Sequence, residues 1–152
     1  MLAFRKILVP HDFSEHARQA TEVAADLARR FEGSLSLVHV VQPIVYAAPE
    51  GLIAYPPFDQ TEILTHCEKK LAQIKEHARS LGVREVETKL LQGVPVAEIV
   101  QLAKSAGCDL IVMGTHGRTG IAHALIGSVA ERVVRTAPCP VLVVPKPNPA
   151  AA

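Results

Sequence analysis

Tryptophan is absent from this 152-residue chain and aromatic residues make up only 4% of it. The stacking platforms that single-stranded nucleic-acid binders offer to bases are therefore scarce. A surplus of charge is missing too: 16 Lys and Arg stand against 15 Asp and Glu, for a formal net charge of +1. No basic run occurs, so nothing gathers a polyanion, and nucleic acid is excluded as the expected partner. Cysteine is sparse, and Cys67, Cys108 and Cys139 lie far apart without a C-x-x-C pair; three reduced thiols are expected. Long apolar runs are lacking as well. Leu110 to Met113 and Val141 to Val144 have strand length, far below the ~18 residues of a bilayer span. Arg5 and Lys6 precede too short an apolar stretch for a signal peptide. The expectation is a cytoplasmic protein without a membrane partner.

Several catalytic signatures are also missing. The histidines His11, His16, His39, His66, His77, His116 and His123 form neither H-E-x-x-H nor an i, i+4 pair, which argues against a histidine-held metal. No G-x-S-x-G elbow occurs, Gly127-Ser128 has no Walker lysine, and no G-x-G-x-x-G follows the first apolar run.

What is present is an alternation of strand and helix patterns. Phe4 to Val9 is a short apolar run closed by Pro10, and Ser14 is placed to cap a helix whose apolar residues recur to Phe31, with Gly33 as the stop. Ser34 to Val41 reads as a strand, and the proline-rich stretch 42–60 as a long surface loop. Thr61 can cap a helix ending at Gly82; Val86, Thr88 and Leu90 alternate as a strand; Pro95 opens a helix up to Gly107. Asp109 to Met113 is a further strand. Ser128 then caps a last helix with Val129, Val133 and Val134 on its inner face, before the strand Val141 to Val144. Continuous β-branched and Leu runs between helices imply a parallel sheet covered on both faces, an α/β fold of five strands. One domain over 1–146 and a flexible tail over 147–152 are expected.

In such sheets ligands collect at the carboxyl ends of strands where chain order reverses. Here the loop-like exits are Pro10 to Ser14 and Gly114 to Gly127. The second holds glycines between a buried strand and a helix start, with Thr115, Thr119 and Ser128 as hydroxyl donors and Arg118 as a guanidinium. Its backbone amides and helix dipole would suit a phosphate. On spacing alone the same glycines could equally end a strand, make turns and precede an ordinary helix. Asp12 could meet a ribose or a divalent ion beside phosphates, or form an Asx-turn that launches the first helix. Val40 and Val41 could wall a purine or simply be core.

Lys6-Ile-Leu-Val-Pro-His-Asp-Phe-Ser14, Leu37-Val-His-Val-Val41, Met113-Gly-Thr-His-Gly-Arg-Thr-Gly120 and Gly127-Ser-Val-Ala-Glu-Arg132 resemble the universal stress protein family along nearly the whole chain. The spacing Gly114-x2-Gly117-x9-Gly127-Ser128 is similar to that family's ATP-binding signature. The resemblance implies a Rossmann-like, doubly wound sheet of order 3-2-1-4-5 and a homodimer through the C-terminal strand. It places Pro10 and Asp12 by the adenosine, Val40 by the adenine, Gly114, Thr115, His116, Gly117, Arg118, Thr119 and Gly120 around the phosphates, and Gly127, Ser128 and Val129 at the helix start. His11 departs from the small or β-branched residue more usual there.

The expected function is a nucleotide-dependent stress-response regulator that binds ATP, or AMP or ADP, with magnesium, and hydrolyses it slowly at most. A weak ATPase or phosphotransferase using Asp12, His116 or Arg118 is the enzymatic alternative. A nucleotide-free dimeric interaction module is the other.

Overall fold

The computed structural model describes residues 2–43, 45–54, 60–116 and 126–146. Strand β1 (Lys6–Pro10) leads through helix α1 (Glu15–Phe31) to β2 (Ser34–Val41). Ser14 caps α1 as expected: its Oγ accepts from Ala17 N at 3.2 Å, an interaction worth about 1 kcal/mol. The helix ends at Phe31 as expected, but by another residue. Glu32, not Gly33, takes the left-handed conformation, with φ 52°. Gly33 is needed for closeness, because a Cβ there would lie 2.5 Å from the Phe4 carbonyl oxygen.

Helix α2 (Gln60–Ser80), β5 (Val86–Gln92), α3 (Pro95–Ser105), β6 (Leu110–Gly114), α4 (Ser128–Thr136) and β7 (Val141–Val144) complete the main body. Its five strands pair in parallel in the order β5-β2-β1-β6-β7. Numbered among themselves, they follow the 3-2-1-4-5 order that the resemblance implies.

The sheet is buried on both sides because its strands alternate between two apolar sets. Ile7, Val9, Leu35, Leu37 and Val112 pack on the alanine face of α1 and on Leu71 and Ala78 of α2. Leu8, Val38, Ile111 and Met113 face Ile99 and Ala103 of α3 and Ala130 and Val133 of α4. Each such large side chain contributes about 1.5–3 kcal/mol on burial. The inner face of α1 offers Ala20, Ala24, Ala25 and Ala28, so nothing bulky holds that helix away from the sheet.

Three local expectations are corrected. Within 42–60 the chain forms β3 (Val45–Ala48) and β4 (Gly51–Ala54), an antiparallel hairpin in its own two-stranded sheet. Pro43 and Pro49 fall outside its ladder, before and between the strands, so they flank strands instead of breaking them; Pro56 and Pro57 lie outside the described residues. Helix α2 begins at Gln60, one residue before the expected cap Thr61. At α4 the cap is Gly127 and Ser128 is already helical; the helix buries Ala130 and Val133, while Val129 and Val134 are exposed.

Candidate functional site

Leaving β1, the chain crosses to β2 on one side, whereas β6 pairs with β1 on the other. The carboxyl ends of β1 and β6 thus flank the point where strand order reverses, the usual ligand crevice of an open parallel sheet. Pro10 is the last residue of β1 and Gly114 the last of β6. Val40 lies near the end of β2, half-buried against the α3–α4 side of the core.

The turn after β1 is held from several directions. Asp12 Oδ1 accepts from Ser14 N at 3.0 Å and also from Ser14 Oγ, so the Asx-turn is formed and orients the cap of α1. Phe13 sits at φ 67°, a conformation that costs a non-glycine residue on the order of 1 kcal/mol. Its amide donates to His11 Nδ1 at 2.9 Å, and its ring stacks on His39 with centroids 4.3 Å apart. His11 is buried, and that burial lowers its imidazole to about 4; Asp12 pulls the other way and His39 adds to the lowering. The imidazole is neutral at physiological pH, with its proton on Nε2.

On the opposite wall, β6 presses against the first turn of α1. A Cβ on Gly114 would come within 2.7 Å of His16 Cβ. Buried Thr115 donates its amide to Val144 O at 3.2 Å, and its Oγ1 lies 3.4 Å from His16 Nδ1 and 3.1 Å from His116 Nδ1. The two imidazole rings are 5.5 Å apart. Gly127 then donates to Thr115 O at 2.6 Å. A Cβ at Gly127 would be only 2.9 Å from that oxygen, so glycine lets the start of α4 close onto the end of β6.

Gly127 makes no side-chain cap bond, and as its own amide is taken by Thr115, the amides left to face a ligand are those of Ser128, Val129 and Ala130. These are the orphan donors at the positive end of a helix dipole, an arrangement that binds anions. Gly117, Arg118, Thr119 and Gly120 lie outside the described residues.

The structure therefore brings Pro10, Asp12, Gly114, Thr115, His116, Gly127, Ser128 and Val129 to one end of the sheet. Sequence reading left out His16, whose only signal was its place in the first turn after the Ser14 cap. Among the described residues no group of three His, Cys, Asp or Glu could hold a metal, and no helix is long and apolar enough to cross a membrane. Burial pushes the Cys108 and Cys139 thiols up, which keeps them protonated and poorly nucleophilic. A cleft of about 520 Å³ lies at the opposite, amino ends of the strands, by Lys6, Ser34 and Glu85.

The model of the universal stress protein family matches residues 3–145. The chain belongs to that family. A universal stress protein of Methanocaldococcus jannaschii is 38% identical over 152 residues, covering 95% of this chain and 84% of the relative. Among solved structures, universal stress protein UspA from Lactobacillus plantarum superposes with a TM-score of 0.81 at 28% identity, covering 95% of this chain and 99% of its own. A universal stress protein in complex with cAMP shares the fold, with a TM-score of 0.73 at 24% identity and coverage of 94% and 98%.

Proposed function

We propose that this member of the family binds an adenine nucleotide in the crevice between β1 and β6 and acts as a nucleotide-dependent stress-response regulator. The observation that carries the reading is the 2.6 Å bond from Gly127 N to Thr115 O, which sets an uncapped helix start beside the exit of β6. In this reading the amides of Ser128 and Val129 receive phosphate oxygens, joined by Gly117 to Gly120 of the intervening loop. Asp12 and Pro10 meet the ribose side, and Val40 offers apolar surface and backbone groups to the base. That a fold relative is described as a cAMP complex agrees with the class of ligand. ATP with magnesium is the nucleotide we assign. Magnesium would neutralise phosphate charge, and the donor set here fits an ion that arrives with the phosphates more than one caged by the chain.

We assign a homodimer as the working assembly, formed in the cytoplasm. Strand β7 is an edge of the main sheet, and Leu142 on it and Val134 on α4 are 38% and 49% exposed. An open edge flanked by apolar side chains is a pairing surface. Isothermal titration of the folded protein with ATP and magnesium tests the central claim. Saturable binding is expected, and no binding at millimolar nucleotide overturns it.

A further inference from the structure

A second cleft, of about 360 Å³, opens between α1 and α2. Neither Asp12, Gly114, Thr115 nor Ser128 borders it. Strand parity explains the separation. Ile7, Val9 and His11 are two residues apart, and Ile7 and Val9 pack towards α1 and α2, so the His11 ring goes to that side while the crevice lies elsewhere.

The lining joins three chemistries. Arg18 and Lys70 supply positive charge, Phe13 and Ile74 an apolar wall, and His11 and His77 two imidazoles. His11 Nε2 and His77 Nε2 are both buried without a hydrogen bond among the described residues. A buried donor left without an acceptor is costly, and the one on His11 asks for a cause. Because His11 Nδ1 already accepts from Phe13 N, its Nε2 carries the proton and lacks an acceptor. His77 Nε2 stands 3.5 Å from Glu22 Oε1.

Among the described lining residues Glu15 is the one acid. Arg18 pairs with it at 3.9 Å and with Glu22 at 3.6 Å, which leaves Lys70, with no ion pair among the described residues, as the cation open to an anion. Lys70 Nζ lies 5.1 Å from the centroid of the Phe13 ring.

We propose that this cleft is a second ligand site, for a small oxyanion with a short apolar body. The carboxylate or phosphate supplies the acceptor that His11 Nε2–H lacks and is held by Lys70, and the apolar body lies against Phe13 and Ile74. Its volume falls within the roughly 300–1,000 Å³ of small-molecule sites. The site does not include the crevice residues Asp12, Gly114, Thr115 or Ser128.

Benzoate and phenyl phosphate are suitable probes, titrated separately into isotope-labelled protein and followed by amide and imidazole NMR. Saturable shifts centred on residues 11–21 and 70–77 are expected, and whichever probe binds tighter identifies the anion class. Lys70→Met should weaken binding about tenfold, the loss of one charge-assisted hydrogen bond. His11→Asn should do the same, since Asn keeps an acceptor for Phe13 N but has no ε donor. Shifts confined to residues 114–130, no saturation at millimolar probe, or affinity unchanged in both variants would each overturn the proposal.

Discussion

His39 Nδ1 donates to the carbonyl oxygen of His11 across 2.7 Å, tying the end of β2 to the turn that leaves β1. The carbonyl can only accept, so the proton is on His39 Nδ1. A second tie runs beside it, from His11 N to Val38 O at 2.8 Å. Together they fix the backbone from which Asp12 and the cap of α1 project. A side chain on β2, more than twenty residues along the chain, thereby shapes one wall of the crevice.

The buried imidazole of this turn gives a pH dependence. With His11 held at about 4 against an ordinary 6.5, the unfolded chain binds the proton first as pH falls. Stability is therefore unaffected above about pH 7, declines as pH falls through 6.5, and levels off below 4, by roughly 3 kcal/mol in all. Urea unfolding of the wild type and His11→Asn between pH 7.5 and 4 checks this. The slope should be shallower in the variant, and imidazole NMR should find His11 neutral at pH 5.5.

If Gly117 belongs to the phosphate site, as the family resemblance implies, Gly117→Val should abolish ATP binding while leaving the thermal midpoint near that of the wild type, because a branched side chain would take the space of a phosphate. Gly127→Ala should behave differently. Its Cβ meets Thr115 O at 2.9 Å, so it should cost about 1–3 kcal/mol of stability as well as affinity. Calorimetry and thermal melts on both variants separate the two effects; undiminished affinity in Gly117→Val would remove that loop from the site.

Leu142→Asp should convert the assembly to monomers, as a charge on the outer edge of β7 opposes pairing. Sedimentation velocity reads the change. A wild type that already sediments as a monomer would refute the dimer.

Ser14→Ala removes the acceptor for Ala17 N and should lower stability by about 1 kcal/mol, or the midpoint by about 2–4 °C. Ser14→Thr, which keeps a hydroxyl to accept from Ala17 N and to donate to Asp12 Oδ1, should restore most of it.

Sequence by itself determined the order of strands and helices, the Ser14 cap and the glycines around β6 and α4, because apolar period and backbone permissiveness are local properties. It placed the end of α1 at Phe31 correctly but took Gly33 for the left-handed residue that Glu32 is, and it set the cap of α4 one residue late. At Gly33 and Gly127 the glycine answers to a distant carbonyl, Phe4 O or Thr115 O, as well as to the neighbouring helix turn. It also missed the hairpin of β3 and β4, since prolines that flank the strands of a short ladder look like those that forbid one. The meeting of His39 with His11, of His16 with Thr115, and of His11 with the cleft between α1 and α2 was decided only by the tertiary structure. Each joins side chains from separate elements, and only the packing of helices onto a twisted parallel sheet sets which of them touch.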